Sequence, residues 1–307
     1  MPLIETYALT KQYPRVTALN ALDINVEPGI IGLVGANGAG KSTLIKILLG
    51  LLPATRGKAR VLDMDVETEG RAIRGLVGYM PEHDCLPPDL SATEFVAHLA
   101  EVSGLPRTAA RERTAETLRH VGLFEERYRE IGGYSTGMKQ RVKLAQALVH
   151  DPRLIFLDEP TNGLDPAGRE EMLDLVRRTG REFGIAVLMS SHLLGEIERV
   201  CDSLIVIDAG RLVRQGAVAE FTAGLGSLEV EVEGDAAALA EALTARGFEA
   251  RGEGFLAHVG LNGDDPYDAI RDCIVELELG LVRLEQRRQT LEDIFRPDAD
   301  EAVAERV

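Results

Sequence analysis

Cysteine is scarce: Cys85, Cys201 and Cys273 are all that 307 residues contain, and no two share a ligand spacing. So few scattered thiols build neither a disulfide framework nor a zinc site, and they read as reduced thiols of a cytoplasm. Long apolar runs are missing too. The best one, Leu44 to Leu52, is broken by Lys46 and Gly50, far short of the roughly 20 residues that a spanning helix needs. Met1 to Tyr13 carries Glu5 and no apolar core, so no leader peptide is visible and a soluble chain is expected. Positive charge is in deficit, with 34 basic against 50 acidic residues. That balance argues against blanket neutralisation of nucleic-acid phosphates and against a basic membrane-surface binder. No period of 20–50 residues repeats, which excludes solenoids and propellers.

What remains is ordinary globular composition, 45% hydrophobic and 27% charged, at a length that suggests about two domains. The charge is unevenly spread. Ser227 to Val307 holds 20 acidic and 8 basic residues, a net of −12, which leaves −4 for residues 1–226. All six lysines lie at or before Lys143. The shift coincides with Ala223-Gly224-Leu225-Gly226-Ser227, a glycine-rich joint, so domains are expected over 1–224 and 227–307.

The most specific motif is Gly35-Ala36-Asn37-Gly38-Ala39-Gly40-Lys41-Ser42-Thr43, which fits G-x-x-x-x-G-K-[ST]. The apolar run Gly29 to Val34 precedes it, and a stretch of helical spacing follows and stops at Gly50. Strand, glycine turn and helix together aim backbone N–H groups and the positive helix end at a phosphate. Lys41 would place a point charge on the β- and γ-phosphates, and Ser42 a hydroxyl on Mg²⁺. A second apolar strand, Leu154-Ile155-Phe156-Leu157, ends in Asp158-Glu159. Asp158 suits the Mg²⁺ shell, and Glu159 suits a general base that orients the attacking water.

Between them, Tyr134-Ser135-Thr136-Gly137-Met138 opens another amphipathic helix, a second anion-binding N-terminus. This stretch resembles the signature sequence of ATP-binding-cassette (ABC) ATPases, and the resemblance covers residues ~3–220. It implies an α/β P-loop cassette, with a mixed sheet core and a helical subdomain at about 88–134. Tyr13 resembles the aromatic residue that stacks on adenine. Gly163-Leu164-Asp165 resembles the loop that crosses the dimer interface, and Asp165 can also cap a helix ahead of Pro166. His192 resembles the histidine that senses the γ-phosphate. His83, His98, His120, His150 and His258 have no such framing and read as structural.

The family's logic implies ATP and Mg²⁺ as ligands, shared between one chain's P-loop residues and the other chain's Ser135 and Gly137. A homodimer or a pair with a related ATPase chain follows, docked on the cytoplasmic face of a membrane through a separate permease. One departure stands out: Gly78-Tyr79-Met80-Pro81-Glu82 carries Glu82 where the family usually has glutamine. A carboxylate can also contact Mg²⁺, and the exchange resembles the exporter-type branch. Export of an unspecified cargo is therefore expected, with an importer ATPase or a non-transport ABC ATPase as the alternatives. Only 94 residues separate Lys41 from Ser135, which leaves no room for the long insertions of repair ATPases.

The tail alternates strictly over Leu228-Glu229-Val230-Glu231-Val232-Glu233, a half-buried strand. A helix over Ala236 to Ala245, a strand over Phe255 to Val259, a helix over Asp268 to Leu277 and a strand over Leu281 to Leu284 follow. Thr290 to Phe295 reads as a further short helix. That order suggests a small α+β domain of ferredoxin-like type, similar to the C-terminal extension of exporter ATPases. It carries no catalytic chemistry, and a regulatory or dimer-supporting role and that of a passive appendage both stay open.

Overall fold

The computed structural model describes residues 2–222, 227–261, 266–287 and 291. Contacts divide the chain into two units, Met1–Val218 and Ala219–Val307. Residues 223–226 of the expected joint and most of the expected helix at 290–295 lie outside the described residues.

The first unit begins with β1 (Ile4–Tyr13), β2 (Val16–Val26), β3 (Ile30–Val34) and α1 (Lys41–Leu48). It continues through β4 (Arg56–Val61), β5 (Met64–Asp65), α2 (Gly70–Leu76) and β6 (Val77–Met80). Next come α3 (Ala92–Val102), α4 (Arg107–His120) and α5 (Thr136–Leu148). After them run β7 (Leu154–Asp158), α6 (Pro166–Phe183), β8 (Ala186–Ser191), α7 (Leu194–Val200), β9 (Ser203–Asp208) and β10 (Arg211–Ala217). A short helix, α8 (Val218–Thr222), follows at the division.

The central sheet has the order β10-β9-β3-β8-β7-β6. All its pairs are parallel except β10 with β9. Parallel strands are covered on both faces and so read as continuous apolar runs. Every residue of β3 and β7 is buried accordingly. This ordering sends the carboxyl ends of β3, β7 and β8 to one edge, where Val34, Asp158 and Ser191 end their strands. A second, antiparallel sheet β2-β1-β4-β5 shares the core with it through Leu9, Leu22, Ile24, Ile45, Leu48 and Phe156.

Helix starts follow the local chemistry. Ser91 caps α3 in a capping box: Glu94 N donates to Ser91 Oγ at 3.3 Å, and Ser91 N donates to Glu94 Oε2 at 2.9 Å. Asp165 caps α6 by accepting from Gly168 N at 3.0 Å, with Pro166 at the first helical position. α1 ends two residues before Gly50.

The second unit contains β11 (Ser227–Glu233), α9 (Ala236–Ala245), β12 (Ala250–Glu253), β13 (Leu256–Gly260), α10 (Tyr267–Glu276) and β14 (Gly280–Arg287). Its sheet runs β12-β13-β11-β14, antiparallel throughout, which is the split βαββαβ order of a ferredoxin-like fold. Leu228, Val230 and Val232 point into a core with Leu239, Leu243, Ile270 and Ile274, as the strict alternation predicts. The sequence reading missed β12. It is a four-residue edge strand, alternately half-buried and exposed, with no apolar residue larger than Ala250, so it leaves no periodic signal.

Candidate functional site

The loop between β3 and α1 places Gly40 at the helix N-cap with φ +107°, a left-handed conformation. A Cβ there would lie 2.5 Å from Ala18 O, so only glycine fits both the angle and the space. No side chain caps α1, which leaves its first N–H groups available to an anion. Asn37, Gly38, Gly40, Lys41, Ser42 and Thr43 line a cleft of ≈ 270 Å³ together with Glu82 and Glu159. Gly35 contributes its carbonyl: Lys41 Nζ donates to Gly35 O at 2.7 Å. The buried Lys41 ammonium also lies 3.2 Å from Glu159 Oε1.

The end of β7 supplies the acids. Asp158 is buried, and its Oδ1 accepts from Ser42 Oγ at 3.1 Å and from Ser190 Oγ at 2.8 Å. Ser190, the register neighbour of Asp158 on β8, also accepts from Glu159 N at 2.9 Å. Glu159 has φ +51°, a left-handed conformation that costs a non-glycine residue on the order of 1–3 kcal/mol and is often kept at functional sites. Its Oε2 lies 2.8 Å from Nδ1 of the partly exposed His192. A continuous chain thus runs from Ser42 through Asp158 and Ser190 to Glu159, flanked by Lys41 and His192. Such a carboxylate, held between an ammonium and an imidazole, is equipped to position and deprotonate water beside a phosphate.

A metal can be accommodated by the donor types present. Among the described residues no three His, Cys, Asp or Glu side chains form a cage. Mg²⁺ needs none, because it is held by one or two carboxylates plus phosphate oxygens and water. The hydroxyl–carboxylate pair Ser42–Asp158 and the nearby Glu82 offer hard oxygen ligands of that kind.

The signature residues lie elsewhere. Ser135 caps α5 by accepting from Met138 N at 3.3 Å. Ser135, Thr136, Gly137 and Met138 join Gly163, Leu164 and Asp165 around a second cleft of ≈ 650 Å³. It shares no lining residue with the first. Gln140 Nε2 donates to Asn162 O at 3.0 Å and ties α5 to the loop that ends at Asp165. Tyr13 is not among the residues lining the P-loop cleft. It stands partly exposed at the end of β1, with Lys11 Nζ 5.3 Å from its ring centroid.

Sequence reasoning missed several polar residues. Ser190 hides inside an apolar strand, and only the Ser190-Ser191 pair next to His192 hinted at it. The buried Glu196 accepts from Thr161 Oγ1 at 2.9 Å and Ser191 Oγ at 2.8 Å, bracing the loops behind Glu159. Lys143 is buried behind Glu82, and burial lowers its pKa while Cys85, Asp84, Glu82 and Asp158 oppose that shift. Burial, and then the charge of Asp158, push the Tyr79 hydroxyl up to about 12. Among the described residues no helix is long and apolar enough to cross a membrane.

A family model described as "ABC transporter" matches residues 19–162. The chain is 38% identical over 220 residues to "Uncharacterized ABC transporter ATP-binding protein YxlF" of Bacillus subtilis, covering 71% of this chain and 72% of that one. It is also 38% identical over 225 residues to "Daunorubicin/doxorubicin resistance ATP-binding protein DrrA" of Streptomyces peucetius, covering 73% and 68%. A solved structure, "Dimeric Structure of MJ0796, a Bacterial ABC Transporter Cassette", aligns with TM-score 0.64 at 25% identity, covering 70% of this chain and 98% of that one.

Proposed function

The chain belongs to the ATP-binding proteins of ABC transporters and is an ATP hydrolase, and on that premise we propose that it powers export through a separate membrane permease. The observation that carries the catalytic part is the chain of contacts from Ser42 to Glu159 at the mouth of the P-loop. In this reading Lys41 binds the β- and γ-phosphates, and the free N–H groups of α1 cradle them. Ser42, Asp158 and Glu82 would hold Mg²⁺, which neutralises charge across the phosphate oxygens when bound. Glu159 accepts the proton of the attacking water, and His192 keeps that carboxylate aimed. Tyr13 is assigned to stack its ring on the adenine.

The signature cleft has a capped helix N-terminus and carboxylates (Glu126, Asp165 and Glu171) but no lysine among its lining residues, so it lacks the phosphate grip of the P-loop and is not expected to hydrolyse a nucleotide alone. We assign Ser135, Gly137 and Asp165 to the nucleotide bound in a second cassette, either a second copy or a related ATPase chain. Closure around ATP and release after hydrolysis would then drive the permease. The drug resistance named for the DrrA relative and the Glu82 exchange favour export. Residues 1–224 serve as the cassette and 227–307 as an accessory domain, and the assembly sits on the cytoplasmic face of the membrane. No nucleic-acid role is invoked. Permease and cargo are identified together by the membrane protein that co-purifies with this chain; recovery of an importer's permease would overturn the direction. For the chemistry, Glu159→Gln should abolish hydrolysis while ATP binding survives and a closed dimer accumulates; continued turnover would mean that another group is the base.

A further inference from the structure

Edge strand β6 leads out of the central sheet toward Glu82, and side chains from α5 reach its backbone in a row. Lys143 Nζ donates to Glu82 O at 2.8 Å, and Gln146 Nε2 to Tyr79 O at 3.3 Å. His150, just past the helix end, brings Nε2 within 3.0 Å of Val77 O. Lys143 and Gln146 are three residues apart, so they share one helix face. The two backbones are pressed together, since a Cβ on Gly78 would lie 1.9 Å from Ala147 O. Lys143 is only 3% exposed. An ammonium is costly to bury unless hydrogen bonds and opposite charge hold it; a helix packing only for apolar contact would not place one there.

We propose that Lys143 is a positioning residue: by gripping the Glu82 carbonyl it fixes the Glu82 segment to α5, so that the rim of the P-loop cleft moves with the signature cleft. Ser135 begins this same helix, about two turns from Lys143. Glu82 lines the P-loop cleft, and Ser135 lines the other. The row on α5 is therefore a direct mechanical link between two clefts that share no lining residue. The link rests on backbone geometry and stands whether or not the Glu82 carboxylate contacts Mg²⁺.

The test is hydrogen exchange on the full chain, comparing wild type with Lys143→Met and Lys143→Arg. Met keeps the length of the stem and removes the donor; Arg retains the donor. In Lys143→Met the amides of residues 82–86 should exchange about tenfold faster, as expected for the loss of one charged hydrogen bond. Those of β7 and of the rest of α5 should not change, and Lys143→Arg should stay near wild type. The kcat for ATP should fall with KM unaltered, because the P-loop contacts are intact. Wild-type exchange over 82–86 in Lys143→Met would overturn the proposal. So would an acceleration spread evenly through α5 and β7, which marks a merely structural lysine. Faster local exchange with unchanged kcat would uphold the link and count against Glu82 as a contact to Mg²⁺.

Discussion

The P-loop cleft and the signature cleft, both in the first unit, are built in opposite ways. Around the first, buried charges are clasped at short range: Lys41 against Glu159, Ser42 and Ser190 against Asp158. The second is wider and mostly exposed. Two of its polar side chains cap helices, Ser135 on Met138 N and Asp165 on Gly168 N, and Arg141 pairs with Glu171 at 2.7 Å. The first joins a lysine, a hydroxyl and two carboxylates at an uncapped helix end, and the second offers a helix end with no lysine beside it. That asymmetry is the physical argument for a second cassette.

If the comparison is right, losing the base of the first cleft should abolish chemistry, whereas changes that keep its oxygen donors, or that touch only the helices supporting the second cleft, should cost less. The largest effect expected is that of Glu159→Gln, with a loss of about 10²–10⁴-fold in kcat, read in a phosphate-release assay. Ser190→Ala comes next. It leaves Glu159 N and the Asp158 carboxylate each short of a partner in a buried place, a loss of roughly 1–3 kcal/mol of stability, measurable by denaturant titration. A smaller change is expected for Glu82→Gln, with turnover within about tenfold of wild type, roughly 1.4 kcal/mol. A larger drop would give that carboxylate a role beyond contact.

The smallest effect concerns the support of the signature side. His120, at the end of α4, meets Thr179 Oγ1 of α6 at 2.9 Å. Burial, and then Arg178, hold its pKa below the ordinary 6.5. The unfolded chain therefore takes up this proton first as pH falls. The neutral form's stability is fully present above about pH 6.5 and is lost progressively below it. Thermal melts at pH 7.5 and 5.5 should show a larger loss for wild type than for His120→Gln, which keeps a polar partner for Thr179 without the titration.

Much of this was legible in the sequence because the relevant signals are local. The P-loop is nine consecutive residues whose glycines are demanded by backbone geometry at Gly40, and Asp158-Glu159 follow an unbroken apolar strand. The cap at Asp165 is marked by Pro166 directly after it. What stayed hidden needed pairing across the fold. Ser190 matters only because β8 lies in register beside β7. Lys143 and Gln146 looked like the polar side of an amphipathic helix until β6 was placed against them. The sheet β2-β1-β4-β5 escaped notice because register irregularities interrupt the alternation of β1. Tyr13 had its place in the motif order, yet nothing local could say whether its ring reaches the cleft.

The central claim is that one chain's P-loop cleft works with another chain's signature cleft, and mixing two crippled chains tests it directly. Lys41→Ala disables the first cleft and leaves the signature intact, whereas Ser135→Arg fills the signature and leaves Lys41, Asp158 and Glu159 in place. Each variant alone should be nearly inactive. An equimolar mixture should regain a substantial part of wild-type ATPase activity, because a mixed dimer contains one intact composite site. Full turnover by Ser135→Arg alone, or mixed dimers that form without any recovery, would contradict the account.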